Sequence, residues 1–172
     1  MQLRYSAALA ALLGTPAFAA GVSVGVEIPR LAVAEYHRPY VAIWLERADQ
    51  SVASTLSVWY DVKTRSGEGE GTKWLKDMRQ WWRRIGRELQ MPQDGVSTAT
   101  RPVGKHVLNF SEGSVALPKL APGAYKLFVE ASREHGGREV LSIPLQWPPA
   151  KAEQLQAQGS SELGAITLEL KP

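Results

Sequence analysis

Apolar and polar residues alternate along most of this chain, which is the pattern of half-buried β-strands. The segment GVSVGVEI (21–28) alternates valine or isoleucine with small or polar residues and predicts a first strand that ends at Pro29. YVAIWLER (40–47) and STLSVWYDVKT (54–64) share this period, and the turn-forming residues 48–51 between them predict a hairpin. Further strands are predicted in KHVLNF, SVALPKL, GAYKLFVEASRE, REVLSIPLQW and LGAITLELK.

Residues 73–89 (KWLKDMRQWWRRIGREL) instead show the three- and four-residue spacing of an amphipathic helix. Its apolar stripe consists of Trp74, Leu75, Met78, Trp81, Trp82, Ile85 and Leu89. The opposite face is basic and carries Lys73, Lys76, Arg79, Arg83, Arg84 and Arg87. We expect the apolar stripe to pack on the rest of the fold. The basic face is either a solvated surface or a site of attraction for an anionic ligand, an anionic lipid surface or an acidic partner.

Short strands separated by turns, with a single helix among them, predict a mainly β fold. We expect an antiparallel immunoglobulin-like β-sandwich with one inserted amphipathic helix. Pro122-Gly123 and Gly136-Gly137 are turn signals between the later strands. The segment 148–161, rich in Pro, Ala, Gln and Ser, predicts a surface loop, and the glycine-rich segment 64–72 predicts a flexible connection.

The first 20 residues have the pattern of an export signal. Arg4 supplies a positive start, residues 7–13 form a short apolar run, and Ala17-Phe18-Ala19 is a small-residue cleavage signal. We therefore predict a signal peptide over 1–20 and a single β-sandwich domain over 21–172, exported to a bacterial periplasm. An N-terminal anchor or a buried helix is the alternative interpretation, although the run is too short to span a membrane.

Composition excludes several classes of function. The formal net charge is only +3, which is low for a nucleic-acid binder. The chain has no cysteine, so it cannot form disulfides, use a catalytic thiol or carry a lipoprotein anchor. His37, His106 and His135 are far apart and show no ligand spacing, so no metal site is expected. No motif of a conventional enzyme is present, so we do not expect conventional catalysis by this chain.

The loop Asp94-Gly95-Val96-Ser97-Thr98-Ala99-Thr100 combines small residues with hydroxyls and is framed by prolines, which predicts an exposed segment. It resembles the acceptor motif of the periplasmic flavin transferase, which links FMN through its phosphate to a threonine hydroxyl. The resemblance implies that Thr100 accepts covalent FMN and that Asp94, Ser97, Thr98 and Ala99 form the recognition surface. Thr98 stands where the motif usually has glycine. A Ser/Thr-rich surface loop with an Asp-Gly turn is the simpler alternative.

The resemblance extends over residues 40–137 and involves YVAIWLER, VWYD, KWLKDMRQWW, DGVSTATRPVG and VEASREHGG. Together these segments resemble a family of predicted periplasmic proteins of unknown function, number 2271 in the domain-of-unknown-function series. This resemblance implies a periplasmic flavin-carrying electron-transfer protein, loaded by a flavin transferase and associated with a membrane-bound reductase.

Two further interpretations stay open at this point. The protein could be a non-catalytic immunoglobulin-like binding or accessory module that docks through its basic helix and strand edges. The chain also has six tryptophans: Trp44, Trp59, Trp74, Trp81, Trp82 and Trp147. Such rings can stack on an isoalloxazine, but their strand and helix spacing predicts that they belong to the core.

Overall fold

The computed structural model describes residues 20–64, 67–68 and 70–172, and within them the chain forms two main β-sheets. The strands are β1 (Gly21–Ile28), β2 (Tyr40–Arg47), β3 (Val52–Trp59), β4 (Lys63–Thr64), β5 (Gly67–Glu68), β6 (Ser97–Thr98), β7 (Gly104–Ser111), β8 (Gly123–Ser132), β9 (Arg138–Trp147), β10 (Glu153–Gln158) and β11 (Ala165–Lys171). The mainly β prediction is confirmed. The predicted signal peptide lies outside the described residues, except for its last residue.

One sheet has four strands in the order β10-β11-β1-β7, and all of its neighbours are antiparallel. The other has five strands in the order β6-β3-β2-β8-β9 and is antiparallel except for the parallel pair β3–β6. The predicted hairpin is present, because β2 pairs with β3 across a turn at residues 48–51. β4 and β5 form a separate two-stranded ladder.

Buried aliphatic side chains from both sheets join in one core. Along β1, Val22, Val24, Val26 and Ile28 are buried and alternate with partly exposed residues, as the sequence predicted. β2 differs because residues 41–46 are all buried, so both faces of this strand are covered. Strand alternation places Trp44 and Glu46 on one face and Ile43 and Leu45 on the other. Trp44 stacks on Phe128 of β8, with ring centroids 5.1 Å apart.

The second face of the five-stranded sheet is covered by residues 70–88, which we call the helical cover. The prediction of one inserted helix is wrong: the cover consists of a 3-10 helix (Glu70–Asp77), α1 (Arg79–Arg84) and a second 3-10 helix (Gly86–Glu88). The backbone leaves helical geometry at Met78 (φ −78°, ψ 74°) and at Ile85 (φ −151°, ψ −31°).

Tertiary contacts explain both interruptions. The backbone N–H groups of Gln80 and Trp81 donate to the buried carboxylate of Glu130 on β8, at 3.0 and 2.7 Å, so the start of α1 is fixed to the sheet. The Trp81 indole donates to Thr55 Oγ1 at 3.3 Å. Gly86 lies so close to the Trp81 ring that an added Cβ would sit 2.7 Å from it. The expectation that Trp74 packs in the core is also wrong, because this side chain is 49% exposed.

Two strand assignments need correction. Residues 153–158, predicted as part of a surface loop, form β10 on the edge of β11, and their alternation of polar residues with Leu155 and Ala157 follows a strand period. SVALPKL (114–120), predicted as a strand, forms bends and irregular backbone. A hydrogen bond from Gly113 N–H to the Leu117 carbonyl (2.8 Å) closes that segment on itself. The predicted flexible segment 64–72 includes residues 65, 66 and 69, which lie outside the described residues.

Candidate functional site

A cleft of about 810 Å³ opens at one end of the five-stranded sheet. β2 begins here, β8 ends and β9 begins here, and the chain leaving β3 and β6 arrives at the same end. The helical cover closes one side. The cleft is lined by residues 36–38, Tyr40, Asp61, Trp74, Asp77, Arg79, Thr100 and 132–138.

The predicted acceptor loop reaches this cleft with its last residue. A turn at 93–96 with Gly95 at φ +75° leads into β6, which pairs with the edge of β3. Asp94 and Ala99 are exposed, Ser97 and Thr98 are partly buried, and Thr100 is partly buried on the cleft wall. The Ser97 hydroxyl accepts a hydrogen bond from Gln93 N–H at 2.8 Å, so it stabilises the turn.

Thr100, Asp61 and Tyr40 form a cluster of polar groups. The Thr100 hydroxyl lies 3.4 Å from Asp61 Oδ1, and the Tyr40 hydroxyl lies 3.4 Å from Asp61 Oδ2. Burial of Tyr40, together with the nearby negative charge of Asp61, raises the pKa of this phenol to about 12. Tyr40 therefore stays a neutral hydrogen-bond donor to Asp61 Oδ2. The other oxygen of Asp61, Oδ1, faces the Thr100 hydroxyl and can orient it.

A buried cation forms another part of the wall. Arg133 donates to Glu162 through Nε (2.8 Å) and Nη2 (3.0 Å), and Gly137 N–H donates to the same carboxylate at 2.7 Å. The hydrogen bonds from Arg133 to Glu162 raise the pKa of the guanidinium above its ordinary value. Gly136 lies directly against the guanidinium, where a Cβ would clash with it. Arg133 Nη1 is buried and has no hydrogen-bond partner among the described residues.

The structure brings two of the three histidines together. The rings of His37 and His135 are 5.8 Å apart at their centroids, and Glu134 lies within 4 Å of both side chains. His106 lies elsewhere, edge-on to Trp59, with Nε2 2.7 Å from the Pro102 carbonyl. In the part of the chain that the structure describes, no group of three or more His, Asp or Glu side chains has the arrangement of a metal site.

Aromatic rings and cations make up much of the remaining lining. Tyr36 and Trp74 are among the exposed large apolar side chains, and both line the cleft. Arg38, Arg79 and Arg138 contribute guanidinium groups. By contrast, Trp44, Trp59, Trp81 and Trp147 are buried in the core, as predicted for them. The cleft also carries the carboxyl groups of Asp61, Asp77 and Glu134, so its rings and guanidinium groups suit a ligand with a flat ring and a localised negative charge.

The model of a family described as "Predicted periplasmic protein (DUF2271)" matches residues 21–165. The chain belongs to this family. Neither a curated protein nor a solved structure matches the chain significantly. Membership in DUF2271 agrees with the predicted periplasmic location. In the described ranges, no helix has both the length and the apolar character needed to cross a bilayer.

Within this DUF2271 member, the sequence alone pointed to Thr100 but missed the groups around it. Asp61 follows β3, and Arg133 begins the β8–β9 turn, so both reach the cleft only through the pairing of β2 with its two neighbours. In the segment SREHGG, the sequence predicts a turn at Gly136-Gly137 but gives no role to Arg133. A charged residue followed by two glycines was the available signal for a buried charged side chain at this turn. Glycine has no Cβ, so a long side chain can pack directly against its backbone.

Proposed function

We propose that this protein is a periplasmic flavin carrier in which FMN is esterified through its phosphate to Thr100, with the flavin ring in the cleft. The observation that carries the proposal is the position of the Thr100 hydroxyl: it lies on the wall of an aromatic and cationic cleft, next to Asp61. Thr100, which the acceptor-like motif implies as the attachment residue, is thus also the residue of that motif that lines the cleft.

The only group that this chain must supply for the proposed attachment is a reachable hydroxyl. A bond forms between Thr100 Oγ1 and the FMN phosphorus while the phosphoanhydride bond of the flavin donor breaks. The hydroxyl proton passes to a base of the transferase, and the other half of the donor leaves with its phosphate. Thr100 is partly exposed and lies outside the regular strands, so an enzyme can approach it.

Thr98, where the motif usually has glycine, causes no backbone strain. Its carbonyl accepts a hydrogen bond from Tyr60 N–H at 3.0 Å, and the residue lies in the extended pairing of β6 with β3. Among the described non-glycine residues, positive φ occurs at Gln50 and His135 and not at Thr98. A β-branched residue suits this conformation.

The residues of the cleft fit a flavin. The Arg133 guanidinium on the cleft wall would be a donor for a carbonyl oxygen on the edge of the ring, and Tyr36 would offer apolar surface for its face. A bound flavin supplies one- and two-electron transfer. The residues of this chain would hold the ring in the cleft and place the positive charge of Arg133 near it.

Export, loading and electron supply complete the proposal. Residues 1–20 act as the signal peptide, a periplasmic flavin transferase attaches FMN, and a membrane-bound reductase exchanges electrons with the carrier. The immunoglobulin-like sandwich serves as a scaffold that presents the acceptor loop at the end of its larger sheet. The protein itself catalyses no group transfer.

Co-expression with a flavin transferase tests this proposal. We expect the intact mass to increase by one FMN minus one water and the protein band to fluoresce, and we expect Thr100→Val to abolish both signals. Thr167→Val, on β11 outside the cleft, is the matched control and should be modified like the wild-type protein. An unchanged wild-type mass contradicts the proposal and favours a non-catalytic binding module. Modification that survives in Thr100→Val contradicts the site.

A further inference from the structure

A second depression lies beside the cleft and is almost entirely cationic. This basic hollow has a volume of about 310 Å³ and is lined by Lys76, Arg79, Trp82, Arg83 and Arg138. Four of these five side chains are positively charged and none is acidic. Arg79 and Arg138 line both the hollow and the cleft, so the two depressions adjoin.

The positive charge of the hollow is largely uncompensated. Arg138 is paired with Glu130 at 2.8 Å, which holds it in place. Among the described residues, Arg83 donates to the backbone carbonyl of Arg79 at 3.2 Å and to no carboxylate. Within the described ranges, neither Lys76 nor Arg79 forms an ion pair, although like charges are close. Crowding cations without counter-charges is unfavourable unless an anion lies nearby, so the hollow has the character of an anion site.

An exposed tryptophan stands at the edge of the same surface. Trp74 is 49% exposed, and the ammonium groups of Lys73 and Lys76 lie 5.3 and 6.0 Å from its ring centroid. Trp82 is partly buried in the hollow. Indole rings among lysine and arginine side chains are typical of surfaces that lie at the membrane–water boundary, where the ring sits at headgroup level and the cations reach the phosphates.

We propose that this surface, formed by Lys73, Trp74, Lys76, Arg79, Trp82, Arg83 and Arg138, binds the phosphate headgroups of an anionic bilayer. An acidic protein is the alternative occupant of this surface, and the polyglutamate measurement below distinguishes it from a bilayer. Because Trp74, Arg79 and Arg138 also line the cleft, docking through this surface would bring the cleft close to the membrane. The inference does not depend on flavin at Thr100, because it rests only on the charges and rings of the helical cover and Arg138.

Vesicle co-sedimentation tests the proposal, with the exported protein purified from the periplasm. We expect binding to vesicles that contain phosphatidylglycerol and little binding to vesicles of pure phosphatidylcholine. The variant Lys76→Glu with Arg83→Glu should bind anionic vesicles about tenfold or more weakly, since each basic residue near such a surface contributes to attraction. Lys119→Glu with Lys151→Glu carries the same net charge, changes exposed residues outside the hollow and should bind like wild type.

A second measurement follows the indole itself. Trp74→Ala should weaken vesicle binding, and wild-type tryptophan emission should shift to shorter wavelength on addition of anionic vesicles. This variant changes an exposed side chain, so it keeps the proposal testable if the double charge reversal unfolds the protein. No binding to anionic vesicles overturns the proposal. Equal loss of binding in the two double variants also overturns it, since attraction would then follow net charge alone. Binding of soluble polyglutamate without vesicle binding overturns it in favour of an acidic protein partner.

Discussion

The two sheets bury their residues in different ways. In the four-stranded sheet one face is covered and the other is open: β1 alternates strictly between buried and partly exposed residues, and Val107 on β7 is 63% exposed. In the five-stranded sheet, β2 is buried on both faces because the helical cover lies on the second one. Alternation alone accounts for the burial of β1, whereas the burial of β2 on both faces also depends on contacts with the helical cover, whose residues are distant in sequence.

The cover is held by a few polar contacts as well as by apolar packing. Glu130, which is fully buried, accepts from two N–H groups of the cover and from Arg138. Glu46 is also buried and accepts from the Trp44 indole at 2.8 Å, with Arg84 of the cover 3.4 Å away. Buried carboxylates are tolerated only when they are well paired. The cleft lies where this cover meets the strand ends, so its shape depends on these contacts.

The largest expected effect comes from removing the central side chain of the cover. Trp81 is fully buried, and Trp81→Ala should lower the free energy of unfolding by about 3–5 kcal/mol, because it leaves a large cavity and an unpaired Thr55 hydroxyl. Ile166→Val in the core of the open sheet should cost about 0.5–1.5 kcal/mol. Urea denaturation of both variants gives the comparison. A Trp81 effect no larger than that of Ile166 would mean that the cover contributes little to the fold.

A smaller effect is expected when the buried carboxylate is replaced by an amide. Glu130→Gln keeps one acceptor oxygen but directs an NH₂ group toward N–H donors or the Arg138 guanidinium, so we expect a loss of about 1–3 kcal/mol in unfolding free energy. Glu153→Gln, on the exposed edge strand β10, should change stability by no more than about 0.5 kcal/mol. Equal effects of the two substitutions in denaturation would contradict the anchoring role of Glu130.

The local alternation of apolar and polar residues was sufficient to predict the strands in which that alternation is regular. The segments 40–47 and 138–147 form strands over the predicted residues, and the hairpin between β2 and β3 follows from its turn. The same reasoning failed for the cover. Residues 73–89 have helical spacing, but Glu130 and the close approach of Gly86 to Trp81 divide them into short helices. Spacing alone carries no information about a carboxylate that lies 50 residues away.

The candidate site was predictable only in part, for a similar reason. The small and hydroxylated residues around Thr100 indicated an accessible loop, because that property is local. Asp61 and Arg133 join Thr100 only when β2 pairs with β3 on one side and with β8 on the other. The buried pair of Arg133 with Glu162 links the β8–β9 turn to the segment before β11, a contact that no short motif reports.

The substitution with the smallest expected effect on stability, Trp74→Ala, tests most directly which tryptophans of the cover are buried. The apolar stripe of 73–89 predicts that Trp74 and Trp81 are equivalent, but Trp74 is 49% exposed and contacts only the ammonium groups of Lys73 and Lys76 among the described ring interactions. Trp74→Ala should therefore change the free energy of unfolding by no more than about 0.5 kcal/mol in urea denaturation. A loss close to that of Trp81→Ala would place the ring in the core. If Trp74→Ala leaves the free energy of unfolding unchanged and weakens vesicle binding, the exposed indole serves to bind the membrane surface and does not stabilise the fold.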